Sequence, residues 1–140
     1  MVLTAAQLSK VLQNTKGFER VLSKIKVISL ENGKCNAELK VEDEHTNALG
    51  TLHGGLSATL VDGVSTYALM THKYGQVPNV SVNINMEYIK GAKVGDEVQI
   101  LANTIRVGKT LAFLEVAIKD KATGTLLVKG SHTKFMMNPK

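Results

Sequence analysis

A chain of 140 residues is the size of one domain and can bury a core without cross-links. Hydrophobic content of 44% with 21% charged residues is that of an ordinary globular protein, and no apolar run approaches a bilayer's thickness, so a folded chain without a membrane-spanning helix is expected. The net charge of +5 suits a polyanionic ligand, either nucleic acid or a phosphate-bearing small molecule; charge does not choose between them, although the lysines are scattered rather than clustered with aromatics.

With 4% aromatic residues and no Trp, the core must come from Val, Leu, Ile, Ala and Met. Cys35 stands alone and cannot form an internal disulfide, so a reducing, intracellular compartment is expected. The first residues lack the basic flank and long apolar stretch of a secretory signal. Lys10 and Lys16 precede the first acidic residue, Glu19, a faint likeness to a mitochondrial presequence that an ordinary amphipathic helix shares. Cytoplasm is therefore the first expectation and mitochondrion the second.

In chain order, Leu8, Val11 and Leu12 mark a short helix over 4–13, with Thr4 as its N-cap. A second helical piece follows around Phe18 to Leu22, so that 4–22 forms an N-terminal helical segment. From Ile25 the period becomes two, and Asn32-Gly33 marks a hairpin. Cys35, Ala37, Leu39 and Val41 then alternate with Asn36, Glu38 and Lys40. The only long helical pattern runs from His53 to about Tyr74, with Gly75 and Pro78 as its stop. Beyond it, Val80, Val82, Ile84, Met86 and Tyr88 predict one strand with a single apolar face. Three more strands are expected over 98–106, 111–119 and 126–134, turning at Val107-Gly108-Lys109 and Ala122-Thr123-Gly124. Two strands, one long helix and four strands predict an α+β fold, an antiparallel sheet wrapped around a central helix as one domain over 1–140.

The long helix carries unusual residues. On a wheel, Leu56, Leu60, Val64 and Tyr67 should face the sheet. Gly55, Thr59, Asp62, Ser65, Thr66 and Leu69 fall on the other side, with no Lys, Glu or Arg between Leu52 and Lys73. A stripe of small residues points to close approach by another surface. Asp62 has no basic partner at helical spacing, and such a carboxylate is either hydrogen-bonded by neighbouring hydroxyls or used. His53-Gly54-Gly55 opens the helix, where unpaired N–H groups and a partial positive charge favour an anion or a developing oxyanion. The same three residues also make an ordinary tight turn into a helix.

The run from His45 through Asn47, His53-Gly54-Gly55 and on to Asp62 resembles the signature of the phenylacetate-type hotdog acyl-CoA thioesterases. The likeness covers nearly the whole chain, including Phe18-Glu19-Arg20-Val21-Leu22, Gly108 to Phe113 and Lys121 to Gly124. It implies a hotdog fold of about six strands that pairs into dimers and then a homotetramer, with the active site between subunits. By this resemblance Gly54 donates its N–H to the thioester carbonyl, and Asn47 helps hold carbonyl or water. Asp62 supplies the partner's carboxylate, Ser81 orients the nucleophile, and His53 lies near the thioester.

CoA contacts are implied at Asn83, at Tyr88, Ile89, Lys90, Gly91, Ala92 and Lys93, and at Arg106, Val107, Gly108, Lys109, Thr110 and Leu111. Gly91 and Asn83 both depart from the residues usual at their positions, a small residue such as Ser and an acidic one. The implied activity is hydrolysis of medium- to long-chain fatty acyl-CoA to fatty acid and CoA. A START-domain lipid-transfer protein is implied as a partner. No metal is expected, because the histidines His45, His53, His72 and His132 are dispersed in the sequence. No cofactor is expected either, CoA being part of the substrate. The alternatives are a non-catalytic acyl-CoA sensor or carrier and a hotdog hydroxyacyl-thioester dehydratase, with nucleic-acid binding a distant fourth.

Overall fold

The computed structural model describes residues 3–137. Helix α1 (Ala5–Gln13) starts at Thr4, whose hydroxyl accepts from the Gln7 amide while the Gln7 side chain accepts from the Thr4 amide, a reciprocal capping box. A 3-10 segment, Phe18–Leu22, leads to β1 (Lys26–Glu31) and β2 (Lys34–Lys40). Asn32 and Gly33 join them with φ of 52° and 77°, as a two-residue hairpin of that composition requires. Helix α2 (Gly54–Met70) is followed by β3 (Asn79–Tyr88), β4 (Glu97–Val107), β5 (Leu111–Asp120) and β6 (Leu126–Met136).

The six strands form one sheet in the order β1-β2-β4-β5-β6-β3, every pairing antiparallel. This is the expected α+β hotdog arrangement. The sheet curls around α2, burying Leu60, Val61, Val64 and Ala68 against Ala37, Leu39, Ile100, Val116 and Ile118. Cys35 belongs to the same core, and burial pushes its thiol up to about 12, so it stays protonated and unreactive. Gly130 lets β6 approach the helix, since a Cβ there would lie 2.8 Å from a Val61 methyl.

Three expectations need correction. The helix ends at Met70 rather than near Tyr74, because Thr71 caps it and the chain turns through His72 to Gly75. Gly75 packs so close to the Leu69 carbonyl that an added Cβ would sit 1.9 Å from it. Second, Ser65 and Leu69 do not fall on the side away from the sheet: both are fully buried against it. The sheet wraps more than half of the helix, and Leu69 packs with Ala112, Leu114 and Met136 in a separate small cluster.

Third, β3 does not keep one apolar face. A bulge between Ser81 and Asn83 inserts Val82, so Val80 pairs with Phe135 on the outer face while Ile84 pairs with His132 on the inner one. Val80 and Val82 are exposed, and Ser81 turns inward. Strict alternation would have placed Ser81 on the face opposite Ile84.

Candidate active site

At the N-terminus of α2, His53 is the N-cap, its Nδ1 accepting from the Gly55 amide at 2.8 Å. That contact places the ring proton on Nε2. Tyr88 donates its hydroxyl to the Gly54 carbonyl at 2.8 Å and clamps the first turn. The Gly54 N–H, the first of the helix, has no hydrogen-bond acceptor among the described residues. It borders a cleft of about 330 Å³ shared with Asn47, Tyr88, Lys90, Gly91 and Ala92. Asn47 is largely committed to its own loop: its Oδ1 accepts from the Leu49 and Thr51 amides, and its Nδ2 donates to Thr51 Oγ1. One hydrogen of that amide remains for a ligand. This end of the helix can hold a carbonyl oxygen and stabilise charge that develops on it.

Two turns further along, Asp62 meets strand β6. His132 Nε2 lies 3.9 Å from Asp62 Oδ1 and 2.7 Å from Ser81 Oγ, and its Nδ1 is 2.8 Å from Ser65 Oγ. Ser65 also donates to the Asp62 carbonyl at 3.2 Å. Ser65 has one proton, so its two contacts are both satisfied when His132 Nδ1 donates to it and Nε2 accepts from Ser81. Burial, with Lys134 nearby, lowers His132 to about 4 against the pull of Asp62, so the ring is neutral at pH 7. Ser81 then presents its lone pairs outward.

Lys134, also buried, donates to Thr66 Oγ1 at 2.9 Å, and Thr66 donates to the Asp62 carbonyl at 2.8 Å. Burial lowers the Lys134 pKa, while Asp62 and then Glu19 oppose that shift. Asp62 itself keeps half of its side chain exposed. A carboxylate and a serine oxygen gathered around the same imidazole nitrogen can hold a water, and the carboxylate can deprotonate it.

The structure thus unites Asp62 with Ser81 and, separately, Gly54 with Asn47, His53 and Tyr88 to Ala92. It does not bring the two groups together within one chain. Eight residues of helix separate Gly54 from Asp62, about 12 Å at 1.5 Å per residue, far beyond the ~3–3.5 Å of a reacting pair. The predicted CoA contacts also divide. Tyr88 to Lys93 lie at one end of the sheet, where the Lys93 amide donates to Asp96. Arg106 to Leu111 form the β4–β5 turn at the other end, closed by Gly108 N–H to the Leu111 carbonyl. Asn83 is exposed on edge strand β3 beside the bulge.

Sequence reasoning missed His132, Lys134, Ser65 and Thr66. The alternation around Gly130, His132 and Lys134 places them on one face, and two polar residues on an otherwise inward face was the available signal. Asp62 lacks a partner only along its own helix; its basic neighbours come from β6. Among the described residues no cluster suited to a metal ion occurs, and no helix is long and apolar enough to cross a membrane.

A family model described as the thioesterase superfamily matches residues 49–127. Acyl-coenzyme A thioesterase 13 of Homo sapiens is 48% identical over 138 residues, covering 99% of this chain and 98% of its own. Two solved structures superpose closely. Zebra fish thioesterase superfamily member 2 has a TM-score of 0.91 at 44% identity, covering 96% of this chain and 99% of its own. Thioesterase superfamily member 2 of Mus musculus has a TM-score of 0.87 at 47% identity, covering 96% and 98%.

Proposed function

This chain belongs to the thioesterase superfamily, and we propose that it hydrolyses medium- to long-chain fatty acyl-CoA thioesters to free fatty acid and CoA. The relatives named above support acyl-CoA thioesterase activity. The observation that carries the mechanism is the division of labour along α2: a free amide at Gly54 and a water-holding pair at Asp62 and Ser81, too far apart to serve one substrate in one chain.

A second copy resolves the separation. Strand β3 is an edge of the sheet with Val80 and Val82 exposed. Two such edges paired antiparallel would bring the Gly54 end of each protomer to the Asp62 region of the other. The same operation would bring Tyr88 to Lys93 of one chain toward the Arg106 to Leu111 turn of its partner, joining the two sets of CoA contacts. Lys90, Lys93, Arg106 and Lys109 would face the phosphates. The proposed assembly is such a dimer, paired again into a homotetramer.

In the reaction, the thioester oxygen accepts from the Gly54 N–H, with the remaining Asn47 amide hydrogen beside it. Water bound between the Asp62 carboxylate and Ser81 Oγ attacks the carbonyl carbon, giving its proton to Asp62. The C–S bond then breaks, releasing CoA as thiol once a proton returns to sulfur. His132 holds Ser81 with its lone pairs toward the water. No cofactor enters these steps. The lone, buried Cys35 fits the proposed intracellular setting, cytoplasm or mitochondrion.

The test is free-thiol release by the purified protein across a series of acyl-CoA lengths. Turnover that rises toward medium and long chains is expected. Saturable binding without thiol release would sink the hydrolase and leave the sensor or carrier.

A further inference from the structure

Lys134 is a buried charge that the proposed reaction leaves without a task. It is 5% exposed, on the inward face of β6, next but one to His132 and directly opposite Ser81 in the ladder to β3. A lysine so enclosed is rare unless it is paired, yet among the described residues no carboxylate forms an ion pair with it. Its ammonium donates to Thr66 Oγ1 at 2.9 Å, and Thr66 in turn donates to the Asp62 carbonyl at 2.8 Å. The charge is thus fixed one helical turn from the carboxylate that meets the water. It is too enclosed to reach the phosphates of CoA, and an aliphatic side chain would fill the position without taking a charge out of water.

We propose that Lys134 is a positioning residue for the hydrolysis: anchored on Thr66, its ammonium holds the Asp62 turn and bars a second positive charge from the neighbouring imidazole. The assignment rests on the hydrolase reading above and adds how the water's proton is routed. Asp62 Oδ1 and His132 Nε2 stand 3.9 Å apart, so a proton taken from water by the carboxylate has the ring within easy reach. A protonated ring would donate to Ser81 rather than accept from it. Ser81 would then turn its own hydrogen toward the water and occupy the lone pair that has to attack. Two positive charges packed together away from water repel each other. With Lys134 in place the proton therefore stays on Asp62 and returns to sulfur as the C–S bond breaks. Few other groups face this pair. Asp62 comes from α2, Ser81 from β3 and Glu19 from the 3-10 segment, and the two carboxylates favour the charged lysine against its burial. Strand β5 presents only Ala112 and Leu114 opposite Lys134 and His132. Burial and Lys134 act together against protonation of the ring, and Asp62 opposes them.

The experiment compares wild type with Lys134→Met, Lys134→Gln and Lys134→Arg in the full chain. Thiol release from palmitoyl-CoA is followed from acid to mildly alkaline pH, the His132 ring is titrated by NMR, and each fold is checked by circular dichroism. Glutamine keeps a donor for Thr66 without the charge, so it carries the test if Lys134→Met does not fold. In the two neutral variants the acid limb of kcat/KM should move up by about one pH unit, and the ring should protonate correspondingly higher. Turnover on that limb then falls roughly tenfold relative to wild type, beyond any loss at alkaline pH. Lys134→Arg, which keeps the charge, should keep the wild-type limb. An unmoved limb and an unmoved ring in folded neutral variants that still release thiol would overturn the assignment of Lys134 and leave the hydrolase standing. A wild-type protein that releases no thiol would overturn both.

Discussion

The two ends of the proposed chemistry on α2 are built from different materials. At Gly54 the working group is a backbone N–H, aimed by the helix and secured by the His53 cap and the Tyr88 clamp. At Asp62 the working groups are side chains from three elements, α2, β3 and β6, held by His132. A backbone donor survives most substitutions, because every residue except proline carries one. A side-chain cluster fails at once when its central member is changed. The difference teaches where the molecule is vulnerable, and substitutions at each end can break or sharpen it.

The largest effect belongs to Asp62→Ala. Loss of the proton acceptor should lower kcat by about 10³-fold, within the range for positioned acid–base groups, while acyl-CoA binding survives. Thiol release and calorimetric binding measured on one preparation check it; equal turnover would falsify the role of Asp62.

The corresponding change at the backbone end is Gly54→Pro. Proline is tolerated at the first position of a helix, and His53, with φ of −62° and ψ of 130°, already has the extended conformation suited to precede it. The variant should fold yet lose roughly 10²-fold in kcat, as when one oxyanion donor is removed. Gly54→Ala, which keeps the N–H, should lose far less. Similar losses in the two variants would refute the backbone assignment.

Protonation tests the side-chain end. His132 titrates at about 4 in the fold, mainly through burial, against 6.5 ordinarily. The unfolded chain binds this proton first as pH falls. The stability tied to a neutral His132 is therefore complete above pH 6.5 and drains away as the pH drops toward 4. At 1.36 kcal/mol per pKa unit the loss is of order 3 kcal/mol. Urea denaturation at several pH values should show that slope in wild type and a shallower one in His132→Gln. Identical slopes would mean the ring is not held neutral.

The smallest effect is at the clamp. Tyr88→Phe removes one hydrogen bond to the Gly54 carbonyl and keeps the ring, so a loss of about 1 kcal/mol, or fivefold in kcat/KM, is expected. A loss as large as that of Asp62→Ala would show that the backbone end depends on its side chains after all.

Much of the scaffold was legible locally. Asn32-Gly33, Thr4 with Gln7, and the alternation in Cys35 to Val41 each state their structure within a few residues, because turn geometry, capping and strand period are short-range effects. Gly54 was legible for the same reason, since a helix start displays its free amides wherever it occurs. Ser81 was named from the resemblance, yet its inward direction was not readable. One inserted residue, Val82, reverses the face, and no local composition marks that bulge.

By itself, then, the sequence determined the order of elements and the buried helix, and it pointed to the carboxylate and the amide that the proposed reaction uses. The tertiary structure decided that Asp62 has His132 and Lys134 beside it, because strand β6, seventy residues later, is laid against the helix through the close approach at Gly130. It also decided that Ser81 turns inward to His132, through the bulge in β3. Periodicity is written along the backbone, whereas proximity across a sheet depends on register, and register is set only when all the strands have paired.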